Sequence, residues 1–186
     1  MSLTKSALGM IEYKTTASGL VAADVMLKTA DVQLVEAETV CPGKYLAVIA
    51  GSISAVQAAV DAASQGSYAV HFLNSFVLGN PHEQLIPALT GATEVESLQA
   101  LGTVEVYDAV TALVAADEAA KTAHVSLIEI RLCRGMCGKS FFTLTGEVAA
   151  VEAAVERAKL KAGEGGMLLD ASVIARPDPK LAKAVL

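Results

Sequence analysis

The sequence predicts an α+β protein made of two tandem copies of one four-stranded domain. Three observations carry that prediction. The first is an internal duplication. Ala7-Leu8-Gly9 returns as Ala100-Leu101-Gly102, Leu20-Val21-Ala22-Ala23-Asp24 as Leu113-Val114-Ala115-Ala116-Asp117, and Lys28-Thr29-Ala30 as Lys121-Thr122-Ala123. Between 7–36 and 100–129, 15 of 30 positions are identical at a constant offset of 93. The second is that strand-like runs and helical stripes follow one another in the same order in both halves. The third is composition: 53% hydrophobic residues but only 4% aromatic ones, which implies a core of small, closely packed side chains.

Taken in order, Leu8 to Tyr13 is short, apolar and β-compatible. Gly19 to Ala30 places Leu20, Ala23, Leu27 and Ala30 on one helical face. Val32 to Val40 reads as a strand, a turn follows, and Tyr45 to Ala50 is its hairpin partner. Ser52 is placed to cap a helix whose stripe is Val56, Ala59, Val60 and Ala63, matched by Val151, Ala154, Val155 and Ala158. Tyr68 to Leu78 is the next strand, and Pro81 opens a last short helix. The order β-α-β-β-α-β plus a terminal helix predicts a ferredoxin-like sheet with helices on one face. The copies span 1–92 and 93–186, joined around 91–99. Two such domains can pack about a pseudo-two-fold axis or alternate around a ring.

Charge and cysteine usage exclude several classes. Fourteen basic against twenty acidic residues give a net charge of −6, with no basic stripe for a phosphate backbone, so no nucleic-acid partner is expected. No apolar run approaches the roughly 20 residues of a membrane span, so no membrane partner is expected either. Met1 to Tyr13 carries one lysine and no long apolar stretch, which argues against a secretory signal. Three cysteines, at 41, 133 and 137, do not make a disulfide framework and fit a reducing cytoplasm. No Ser-His-Asp set, phosphate-cradling loop or dinucleotide fingerprint occurs, and His71, His82 and His124 are scattered, so no enzyme is predicted. Acidic pairs such as Glu94 with Glu96 read as exposed faces rather than an acid/base couple.

The stretch with the most chemistry in it is Glu38-Thr39-Val40-Cys41-Pro42-Gly43-Lys44. Pro42 and Gly43 make a turn that presents Cys41 at a loop tip. The second copy writes Arg134-Gly135-Met136-Cys137-Gly138-Lys139, two residues longer, with Met136 facing Cys41 and Cys137 facing Pro42 in the repeat alignment. The bland reading of Cys41 is a small apolar residue ending a strand. Cys133 and Cys137 have a C-x-x-x-C spacing without the second pair a zinc site needs. Cys133 shares an alternation face with Leu127 and Arg131 and reads as structural.

Met26-Leu27-Lys28-Thr29-Ala30-Asp31-Val32, Gly43-Lys44-Tyr45 with Gly51-Ser52-Ile53-Ser54-Ala55-Val56, and Val77-Leu78-Gly79-Asn80-Pro81-His82 resemble the bacterial microcompartment shell domain. The resemblance covers nearly the whole chain, twice. It implies a shell component in the cytoplasm, a homotrimer imitating a hexamer, that tiles facets with other microcompartment shell proteins. It implies a central pore lined by Pro42, Gly43, Gly135, Met136, Cys137 and Gly138, and trimer edges carrying Lys28, Lys121, Asn80, His82 and Arg176. The lysines read equally as solvated helix ends.

Within the tandem members, Thr39 to Lys44 is similar to the pore loop of the iron–sulfur trimers of propanediol-utilisation shells. That similarity implies a 4Fe-4S cluster shared by three chains, with Cys41 as the metal ligand from each. One thiol per chain cannot hold a cubane, but three-fold symmetry turns it into three converging thiolates. Hydrogen-bond support for the sulfur would fall to the N–H groups of Gly43 and Lys44, since Pro42 has none. Enclosed redox enzymes are then electron partners. Cys133 and Cys137 depart from the family's usual second loop and read as spectators; the alternative for Cys137 is an extra ligand or a redox partner at the axis. Two other readings stand beside this one: a cluster-free metabolite pore, and a soluble trimeric redox carrier.

Overall fold

The computed structural model describes residues 6–95 and 97–186. Met1–Lys5 of the N-terminal reading and Glu96 of the acidic pair lie outside the described residues. The chain divides after Pro81 into two compact units, each with one four-stranded antiparallel sheet.

In unit 1, β1 (Ala7–Tyr13) is a central strand. It is flanked by β3 (Lys44–Gly51) and β4 (Phe72–Gly79), and β2 (Gln33–Val40) lies outside β3, giving the order β2-β3-β1-β4. The expected order of elements and the ferredoxin-like antiparallel sheet are both present. Helices α1 (Thr16–Thr29) and α2 (Ile53–Ala63) pack on each other and on this sheet. Ser52 caps α2, its hydroxyl accepting the Ala55 N–H, and the expected stripe Val56, Ala59, Val60, Ala63 is buried. Gly9 lets α2 lie close to β1, because a Cβ there would fall 2.6 Å from Val56 Cγ1. Gly102 does the same beneath Val155 in the second unit.

Two local expectations are corrected. The buried face of α1 is Gly19, Ala22, Ala23 and Met26, while Leu20 and Leu27 are exposed. The helix is rotated because Gly19 has no side chain and sits directly against the Tyr45 ring. The strand expected from Tyr68 begins only at Phe72. Residues Ser67–His71 form a 3-10 turn, tied by Ala69 N–H to Gly66 C=O and by the Tyr68 hydroxyl donating to Ala62 C=O.

Unit 2 repeats the plan. Helix α3 (Leu85–Thr90) comes first. Then follow β5 (Ala100–Val106), α4 (Ala109–Thr122), β6 (Ser126–Arg131), β7 (Ser140–Gly146), α5 (Val148–Glu164), β8 (Leu168–Ile174) and α6 (Pro179–Val185). The sheet order is β6-β7-β5-β8, and the stripe Val151, Ala154, Val155, Ala158 is buried. The short helix after Pro81, assigned above to the first copy, makes its contacts in unit 2, against β6 and α4. Gln84 at its start explains this, since its amide donates to Val125 C=O and accepts the Leu127 N–H. Among the described residues no helix is long and apolar enough to cross a membrane.

Candidate functional site

Each unit carries a turn at the end of its outer hairpin, and each turn is fixed by local chemistry. In unit 1, β2 and β3 pair down to Val40 opposite Lys44, leaving only Cys41, Pro42 and Gly43 outside the ladder. The Cys41–Pro42 peptide is cis and Gly43 has φ 89°, a left-handed conformation that favours glycine. Pro42 and Gly43 are exposed, and Cys41 is half-buried. The Cys41 thiol has no hydrogen-bond partner among the described residues. The Gly43 N–H, expected to support the sulfur, donates instead to Val40 C=O at 2.9 Å. A three-residue turn needs that bond to close, so the donor is spent inside the loop.

The second turn is longer and built differently. Strand β6 ends at Arg131, and a register shift between Leu127 and Glu129 breaks the alternation that had grouped Leu127, Arg131 and Cys133 on one face. Cys133 therefore lies beyond the strand, fully buried, with φ 57°. Its N–H donates to Ser140 Oγ at 3.1 Å and its thiol to Gly138 C=O at 3.0 Å. These bonds pin both ends of the loop. Between them Gly135, Cys137 and Gly138 all have positive φ, Met136 is half-buried, and Cys137 is exposed. The two unit-2 cysteines thus differ: one is tied to the loop's own backbone and the other is presented to solvent.

A feature that motif reading missed lies behind both turns. Lys44 pairs with Glu12 at 3.6 Å, and Lys139 pairs with Glu105 at 2.8 Å. Glu12 is largely buried, and its Oε1 has no hydrogen-bond partner among the described residues. The Glu105 carboxylate, accepting a hydrogen bond, holds the Lys139 ammonium above the usual lysine range. The signal was present in the sequence, since Glu12 and Glu105 recur at the same offset as the rest of the repeat.

The edge residues fall at helix and strand ends. Lys28 pairs with Asp24 at 2.6 Å on an exposed helix face. Lys121 makes the equivalent pair with Asp117, also at 2.6 Å, but Asp117 is buried and accepts the His82 N–H as well. Asn80 has φ 51° and donates its N–H to Ser6 C=O, and Arg176 is exposed. Among the described residues of one chain, no three His, Cys, Asp or Glu converge to hold a metal ion. The donor set is one accessible turn thiol in unit 1 and one in unit 2, which fits a multi-thiolate group only when several chains contribute.

A four-stranded unit present twice, each copy with a hairpin-end turn backed by a Lys–Glu pair, defines a tandem-duplicated α+β protein, and sequence comparison places it. The BMC domain matches residues 7–81 and again 100–177, so the chain belongs to the BMC-domain family. Among individual relatives it is similar to the bacterial microcompartment shell protein PduT of Citrobacter freundii, 40% identical over 92% of each chain. It is also similar to PduA of the same organism, 34% identical over 46% of this chain and 96% of that one, as expected for a single-copy relative. A microcompartment protein of Desulfitobacterium hafniense superimposes with a TM-score of 0.90 at 45% identity, covering 94% of this chain and 97% of that one. A fused permuted hexameric shell protein of the RMM microcompartment shares the fold, with TM-score 0.55 at 21% identity.

Proposed function

We propose that this protein is a structural shell component of a bacterial microcompartment in the cytoplasm. In this reading it tiles facets as a homotrimer beside other shell proteins, with a redox centre in its pore. The observation that carries the proposal is the Cys41 turn. The Cys41 thiol, without a hydrogen-bond partner among the described residues, stands at the end of a tight three-residue hairpin turn. Three chains bring three such thiols to a common axis, the number that one chain lacks. A 4Fe-4S cluster fits that donor set, leaving one iron for a non-protein ligand, and when bound it would supply a one-electron carrier between the two faces of the shell.

The chain's own residues have separate tasks. Cys41 supplies the thiolate. The ladder down to Val40 and Lys44 and the bond from Gly43 N–H to Val40 C=O hold that sulfur in place. Pro42 and Gly43, exposed at the tip, let symmetry mates approach. Lys44, paired with Glu12, is held back from the tip. The protein catalyses no reaction of its own in this reading; its partners are other shell tiles and enclosed redox enzymes.

The test is assembly together with colour. Purified without oxygen, the protein should sediment as three chains, form flat layers in electron micrographs, and absorb visible light as an iron–sulfur protein. Trimers that never form layers would favour a soluble carrier, and colourless layers would favour a cluster-free pore.

A further inference from the structure

Unit 2 carries two thiols in one turn, and unit 1 carries one. Under the constant offset of 93, Val40 stands where Cys133 does, so Cys41 has no second sulfur within its own hairpin. The two sulfurs of unit 2 occupy opposite environments. Cys133 is 1% exposed, whereas Cys137 faces solvent and its thiol has no hydrogen-bond partner among the described residues. Yet the turn folds one back onto the other's neighbour: the Cys133 thiol touches the carbonyl of Gly138, the residue after Cys137, at 3.0 Å. Cys133 and Cys137 are both left-handed, at φ 57° and 54°, which curls the chain at each end of the three residues between them. One of those three, Gly135, has φ 72° and nothing within 4 Å of where a Cβ would stand, so the turn has room to readjust. Lys139, held at 2.8 Å by Glu105, is near enough to Cys137 for their charges to act on each other. A cation therefore stands by that sulfur while it carries negative charge during exchange.

We propose that Cys137 and Cys133 form a reversible thiol–disulfide site within one chain, with low-molecular-weight disulfides as the co-reactant. The exposed Cys137 sulfur attacks one sulfur of the small disulfide, whose S–S bond breaks, and the first small thiol leaves with the Cys137 proton. The buried Cys133 sulfur then attacks the Cys137 sulfur of the mixed disulfide, and the second small thiol leaves with the Cys133 proton. Two protein thiols are oxidised to one disulfide, and one small disulfide is reduced to two thiols. Closure takes the Cys133 thiol off Gly138 C=O and draws Cys137 in from solvent. The Cys133 N–H bond to Ser140 Oγ and the Lys139–Glu105 pair still hold the ends of the turn. The pairing needs neither a second chain nor a cluster. Only its effect on a pore rests on the reading above, where oxidation removes three exposed thiols from the pore wall together.

To test this, the full chain carrying Cys41→Ala, which leaves only these two thiols, is treated with oxidised glutathione, alkylated in denaturant and digested with trypsin without reduction. Cleavage after Arg131, Arg134 and Lys139 puts the two cysteines on separate peptides, 132–134 and 135–139. These should appear as one species, lighter by two hydrogens than their sum, that separates on reduction, while a non-reducing gel shows chains unlinked to one another. Adding Cys133→Ser should abolish the linked species and let the glutathione adduct on Cys137 accumulate, because a hydroxyl cannot resolve it. A lasting adduct on Cys137 beside an alkylated Cys133, a Cys137 joined to Cys137 of another chain, or alkylation of both cysteines would each overturn the pairing. None of these outcomes depends on assembly or iron, so a failed pairing leaves the pore reading standing and a failed pore reading leaves the pairing standing.

Discussion

Leu20-Val21-Ala22-Ala23-Asp24 and Leu113-Val114-Ala115-Ala116-Asp117 are the same five residues at the same place in two copies of one fold, yet unit 1 exposes the leucine and aspartate that unit 2 buries. Local sequence cannot account for this, because it is identical. The difference is set by α3, a helix that follows unit 1's last strand in the chain and covers only unit 2's copy of the surface. A duplicated chain has two surfaces and two helices to match, and one of each is left unmatched. The turns diverge in a complementary way. The unit-1 turn is minimal and offers a thiol with no hydrogen-bond partner among the described residues, whereas the unit-2 turn spends one of its two cysteines fastening itself shut.

The comparison can be broken most sharply at its paired leucines. Leu127→Ala should cost unit 2 about 2–5 kcal/mol, as for other fully buried leucines. Leu34→Ala, at the exposed counterpart in unit 1, should change the dissociated chain by no more than about 0.5 kcal/mol. Denaturant titrations in dilute protein read both. Equal costs in dilute protein would mean the two surfaces are not as different as their exposure indicates.

A smaller effect is expected where the repeat changes residue. Gly19 is answered by Ala112, and a Cβ on Gly19 would lie 2.4 Å from the Tyr45 ring. Gly19→Ala should therefore destabilise unit 1 by about 1–3 kcal/mol, despite alanine's better helix propensity. Thermal unfolding that shows stabilisation would place α1 further from β3 than described.

The mildest contrast is in pH. Tyr13 is fully buried and donates its hydroxyl to Ala63 C=O, whereas Val106 stands at that place in unit 2. Burial, with Tyr68 beside it, pushes the Tyr13 phenol up to about 12. A folded value raised above the unfolded one, about 10, makes the protonated phenol stabilising. That contribution is complete below about pH 10 and is lost as pH rises through about 12. Melting temperatures across that window should fall more steeply for wild type than for Tyr13→Phe, and parallel curves would contradict it.

The duplication, the order of elements, the α2 and α5 stripes and the Cys41 turn were legible because each rests on neighbouring residues or on a repeat. What was not legible depends on distant parts of the chain. Leu20 and Leu27 pointed to the wrong face of α1 because a helix is oriented by what it can approach closely, and Gly19 gives that approach through absence of a side chain. Tyr68 to His71 has strand composition but is held in a 3-10 turn by bonds to Gly66 and Ala62. Cys133 leaves its alternation face because a bulge three-dimensional in origin shifts the register after Leu127. The Glu12 and Glu105 partners of the turn lysines come from other strands, so no spacing within the turn motif reveals them.

The central claim is that Cys41 acts as one of three thiolates from three chains, and iron and acid-labile sulfide analysis after anaerobic reconstitution tests it most directly. Wild type and Cys137→Ala should each carry about four irons per three chains, and Cys41→Ala should carry none. Iron retained in Cys41→Ala, about four irons per single chain, or a wild type that takes up no iron would contradict the account.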